Sequence, residues 1–175
     1  MRKLFVFILS VLFVSTLSLA QDFEYIGAAK CKMCHNKPAT GAQYNKWSEA
    51  SHAKAFETLK GEKAMAYAKE KGIADPSKEA KCLKCHSTFH AIDADLNISL
   101  KEEEGVSCET CHGPGSRYKS MSIMKDHDKS VANGLIVPDE ALCKTCHKPE
   151  GNDFYKPFVY EEALKKIAHP NPAAN

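Results

Sequence analysis

Cys31-Lys32-Met33-Cys34-His35, Cys82-Leu83-Lys84-Cys85-His86, Cys108-Glu109-Thr110-Cys111-His112 and Cys143-Lys144-Thr145-Cys146-His147 are four copies of one five-residue string, and they use all eight cysteines of the chain. Two thiols three positions apart can each add to one vinyl group of the same porphyrin, and the histidine that follows then falls under the iron. The strings therefore predict four covalent haem c groups, held by Cys31 and Cys34, Cys82 and Cys85, Cys108 and Cys111, and Cys143 and Cys146. His35, His86, His112 and His147 would each bind one iron. Two other readings compete. Zinc sites use paired Cys-x-x-Cys strings but do not require a histidine directly after every second cysteine. A redox dithiol needs one such string, and four with a histidine each time do not fit it.

The start of the chain speaks to compartment. Arg2 and Lys3 form a short positive region, residues 4–19 are nearly all apolar, and Ser18-Leu19-Ala20 offers small residues for cleavage. Residues 1–20 are expected to be a signal peptide, cleaved after Ala20. The apolar run, about 16 residues, is short of the roughly 20 that span a bilayer, and no second hydrophobic segment follows, so no stable membrane insertion is expected. Export would deliver the protein to the periplasm, with the extracellular space as the other destination. Cysteines left unattended in such an oxidising space become disulfides, which agrees with their commitment to haem.

Residues 21–175 would then form a single tetrahaem domain of 175 − 20 = 155 residues. That leaves roughly 39 residues per haem, near the length of about 40 below which a chain needs an added staple to fold. The haems must supply much of the core, so the expected fold is mainly α: short helices and loops wrapped around four covalently bound haems, with little or no sheet. A helix is predicted across residues 41–59, which lack Pro and are rich in helix formers from Gln43 to Phe56. A second is predicted over 62–71, stopped by Gly72, and a third starts at Pro138-Asp139-Glu140. A last one runs over 160–168, ended before Pro170. Residues 97–104 read as a polar connection and 171–175 as a frayed tail. From Cys31 to Cys82 is 51 residues, from Cys82 to Cys108 26, and from Cys108 to Cys143 35. The short middle interval should bring the second and third strings together.

Charge excludes one class of partner. The chain has 24 Lys and Arg against 22 Asp and Glu. Loss of Arg2 and Lys3 would leave 22 of each, and haem propionates add negative charge. No basic stripe for nucleic acid remains.

Four histidines stand outside the strings: His52, His90, His127 and His169. Each is a candidate second axial ligand. His52 falls on a helix face shared with Tyr44, Trp47, Ser51 and Phe56, suited to lining a porphyrin. His127 lies in Lys125-Asp126-His127-Asp128-Lys129, where an acid can hydrogen-bond the ring nitrogen that does not meet metal.

The chain resembles the tetrahaem cytochrome c-554 family. Three features carry this beyond the strings: Trp47 five positions before His52 in Ser51-His52-Ala53-Lys54-Ala55, the run Gly105-Val106-Ser107 through the third string to Gly113-Pro114-Gly115, and Asp126-His127. The resemblance implies that His52 pairs with His147 and His127 with His35. It breaks at Pro138, where the family has the histidine that completes its third haem. His90 is too near His86 to reach the far face of that haem with ease, so the expectation is His90 on the third haem and His169 on the second.

Irons closed by two histidines favour electron transfer and exclude small-molecule chemistry. The leading expectation is an electron carrier between donor and acceptor redox proteins, with no catalytic residues of its own. A five-coordinate iron would instead favour an enzyme acting on nitric oxide or hydroxylamine. Self-association into a haem filament is the third reading, with His90 or His169 reaching the next protomer.

Overall fold

The computed structural model describes residues 23–170 and Pro172. The predicted signal peptide and the frayed tail, Pro172 apart, lie outside them. Eleven short α-helices follow one another among the described residues. They are α1 (Ala28–His35), α2 (Gln43–Glu49), α3 (Ala55–Thr58), α4 (Glu62–Lys71), α5 (Ala80–His86) and α6 (Thr88–Ala91). After the third string's α7 (Cys108–His112) come α8 (Met121–Met124), α9 (His127–Ala132), α10 (Glu140–Cys143) and α11 (Tyr160–Ile167). No strand occurs among these residues beyond an isolated bridge between Tyr25 and Asn97. The fold is mainly α, as expected, and no described helix is long and apolar enough to cross a membrane.

The helix α4 keeps the predicted bounds, ending on Gly72 in the left-handed conformation that only glycine adopts freely. The long helix expected across 41–59 is instead cut at Ala50, whose backbone is extended, and resumes as a 3₁₀ turn at His52–Lys54 and then α3. The cause lies far along the chain. Trp47 Nε1 donates to the Val106 carbonyl at 2.9 Å, and the Val106 N–H donates to the His52 carbonyl at 2.9 Å. One residue thus pins both sides of the break. Gly105 lets Val106 come so close: its φ is +59°, and a Cβ there would stand 2.8 Å from the His52 carbonyl oxygen. The expected start at Pro138 shifts by two residues, because Asp139 caps α10 by accepting from the Leu142 N–H at 2.8 Å.

The apolar core is small. Phe56, Leu59 and Leu83 form its main cluster, with Cys82 packed beside them. A second centre is polar. Glu109, only 1% exposed, accepts from the backbone N–H of Ile26 (2.9 Å), Gly27 (2.8 Å) and Gly115 (2.7 Å). This carboxylate ties the entry to α1 to the third string, and Gly115 is needed there, since a Cβ would meet Ile26 Cδ1 at 2.8 Å. Burial holds the Glu109 carboxyl above the usual carboxylate range, and the three donors pull it part of the way back.

Candidate functional site

Each string is helical, within α1, α5, α7 or α10 and the turn after it. A helical turn places the two cysteines and the histidine of a string on adjoining faces. Across the molecule the strings meet in a definite order. The thiols of Cys31 and Cys108 are neighbours that shift one another's pKa, as are those of Cys85 and Cys146. Cys111 lies near Cys143 and Cys146, whose charge, after burial, helps push its thiol pKa up. The second and third strings adjoin as the short interval requires, through the hydroxyls of Thr88 and Thr110 and the Ser107 N–H, which donates to Thr88 Oγ1 at 2.8 Å. Neighbouring thiols also join first to third and second to fourth. No disulfide joins any two of the eight cysteines. Among the described residues no three His, Cys, Asp or Glu side chains converge as a bare metal ion would require.

Three of the four string histidines share a feature that sequence cannot show. His86 Nδ1 lies 2.9 Å from the Ala55 carbonyl and His112 Nδ1 3.3 Å from that of Ile136. A carbonyl can only accept, so Nδ1 carries the proton in both and Nε2 keeps a free lone pair. His35 Nδ1 meets Gln43 Oε1 at 3.3 Å in the same sense. The ring of His147 is oriented differently, stacked on Phe158 with centroids 4.8 Å apart.

Of the other histidines, two come to face string histidines. The His52 and His147 rings stand 6.0 Å apart with planes at 65°, and the His112 and His169 rings 6.0 Å apart at 73°. Burial lowers the pKa of His52, as does the facing His147, and burial also lowers those of His147 and His112. A neutral imidazole is the form that binds metal. The ring of His169 faces His112 of the third string, whereas the sequence reading placed it opposite His86 of the second. His90 differs too. It does not face His112; it packs on Phe56 and its Nε2 is engaged by Glu102. His127 opens α9 with its side chain 70% exposed and Nδ1 3.5 Å from Asp128 Oδ1, and no described ring contact joins it to His35.

A cavity of about 500 Å³ lies between these groups. Cys31, His35, Cys108 and His112 line it from the first and third strings, with Trp47 and His52 from the broken helix and Ile167 to His169 from the end of α11. Met124 and Leu135 also reach it, and nothing in the local sequence singled them out. A smaller cavity of about 190 Å³ holds Cys85 and Cys146 beside Thr88 and Thr110. Thiols, free imidazole nitrogens and apolar walls are the donor set that a covalently attached porphyrin needs, and the residues present fit it.

Comparison with known proteins points the same way. The family model described as "Cytochrome c554 and c-prime" matches residues 30–113. Cytochrome c-554 of Nitrosomonas europaea is 33% identical over 148 residues, which is 79% of this chain and 56% of that protein. The chain thus spans little more than half of that relative's length. No solved structure matches.

Proposed function

Because the chain belongs to the cytochrome c-554 family, with haem c as its covalent cofactor, we propose that it is a periplasmic carrier that moves electrons between redox proteins through four haems. Each haem would be tethered by the cysteine pair of one string and ligated by His35, His86, His112 or His147. Bound haem supplies an iron that gains or loses one electron. The chain's own residues do the rest. The Ala55, Ile136 and Gln43 oxygens hold the imidazole protons on Nδ1 and so aim Nε2. The third and fourth strings lie near one another at Cys111 and the second and third adjoin at Thr88, which supports one continuous path. His127 is proposed as the partner of His35, with Asp128 on its Nδ1.

The observation that carries this reading is the facing pair His52 and His147. A metal closed on both sides by imidazole keeps its shape through a redox change and offers no position to substrate. Export is supported by Arg2, Lys3 and the apolar run after them. The partners are proposed to be a donor and an acceptor protein docking where a haem edge meets solvent. A second reading, small-molecule chemistry at one open iron, draws support from His90, whose Nε2 is engaged by Glu102 beside the second string.

Intact-mass measurement of the exported protein should show the signal peptide gone and four haems added. Electron paramagnetic resonance of the oxidised protein, with and without nitric oxide or cyanide, decides between the readings. Low-spin signals indifferent to ligand mark a carrier, and a high-spin signal abolished by ligand marks an open site. Fewer than four haem additions would refute the tetrahaem assignment.

A further inference from the structure

His169 and His112 come from well-separated parts of the chain, yet each is aimed at the other. Ala168 ends α11 with extended backbone, and Pro170 disfavours helix at His169 itself, so the chain turns and sends the His169 ring back over the cavity. The Ile167 carbonyl lies 2.7 Å from His169 Nδ1, which fixes the proton there and leaves Nε2 free. The segment beyond is seated on the loop after the first string: a Cβ on Gly41 would stand 2.5 Å from the Pro170 carbonyl. On the other side, Ile136 grips His112 twice, through Nδ1 at 3.3 Å and by donating its N–H to the His112 carbonyl at 2.9 Å. The Tyr118 hydroxyl adds a bond to the same carbonyl at 3.1 Å.

Two imidazoles that share one ion need about 2 Å from each nitrogen to the metal and roughly 1 Å more to each ring centre, about 6 Å between centres in all. The observed 6.0 Å meets that requirement, and so does the 6.0 Å between His52 and His147. His90 offers no such geometry, since its Nε2 is committed to Glu102.

We propose that His169 is the second axial ligand of the haem held by Cys108, Cys111 and His112, and that α11 is the strap that closes that haem's outer face. The inference rests on the multihaem reading above. It requires no local motif around His169: the ligand is delivered by the end of a helix, a proline and one backbone carbonyl.

The test uses exported holoprotein carrying His169→Gly or His169→Met. Intact mass counts the haems first. Wild-type protein without added haem would overturn the multihaem reading itself, independently of His169. With all haems present, His169→Gly should convert one haem's share of the low-spin resonance to high-spin, and added imidazole should restore it. The signal lost should be a strongly anisotropic one, as the near-perpendicular ring planes demand. His169→Met retains a bulky side chain that can ligate iron. It should keep the low-spin state and raise one reduction potential, since methionine opposite histidine raises the potential of a haem. A fully loaded Gly variant with an unchanged spectrum, or a Met variant with unchanged potentials, would overturn the assignment of His169.

Discussion

The third and fourth strings are alike in pattern and are held in opposite ways. In the third, the two residues between the cysteines reach across the molecule: Glu109 bonds Ile26, Gly27 and Gly115, and Thr110 meets Thr88. In the fourth, the same positions bond within their own turn, Lys144 to Glu140 at 2.6 Å and Thr145 to the Leu142 carbonyl at 2.8 Å. The second string follows the third, since Leu83 is buried near Phe56; in the first, Met33 is exposed but Lys32 reaches over the Tyr44 ring of α2. The two variable residues thus anchor the third string to distant parts of the protein and leave the fourth bonded within its own turn.

The largest effect is expected at the anchored string. Glu109→Ala would strand three buried N–H groups at about 1–3 kcal/mol each, a large part of the total stability of a domain this size. The variant should fail to accumulate as folded holoprotein or melt far below wild type by circular dichroism; a near-wild-type melt would show that the third string is no better anchored than the fourth. At the fourth string, Asp139→Ala removes a helix cap, worth about 1 kcal/mol. The thermal midpoint should fall by only about 2–4 °C, with the haem count by mass unchanged. A loss as large as that of the Glu109 variant would erase the contrast. The smallest effect concerns Asp153, just beyond the fourth string, which bonds Lys71 and Tyr67 of α4 at 3.0 Å each. Lys71 and then Tyr67 hold its carboxyl below the usual range. A depressed folded pKa means that the contribution is present above the ordinary value of about 3.9 and fades as pH falls through the folded value. Asp153→Asn should therefore melt slightly below wild type at neutral pH and level with it in acid. A gap that widened in acid would refute that role for the ion pair.

What was legible in the sequence was whatever depends on local chemistry. The strings, α4 and α11 follow from residue types and spacing within a few positions, and the lack of described strands agrees with the small number of residues per string. The break at Ala50 was not legible, because Val106 causes it from another part of the chain. Nor was the direction of His169: sequence argued from reach along the chain, whereas facing depends on where α11 lies over the cavity. His90 looked available because Glu102, which takes its Nε2, belongs to a connection that read only as polar.

The strap at the end of α11 also sets an order of events. His169 follows all four strings in the chain, so it leaves the ribosome after every cysteine has emerged. Until residues 160–169 are made, nothing from α11 covers the cavity that Cys108 and Cys111 line. On the assignment proposed for His169, that side of the third string is the last to be closed.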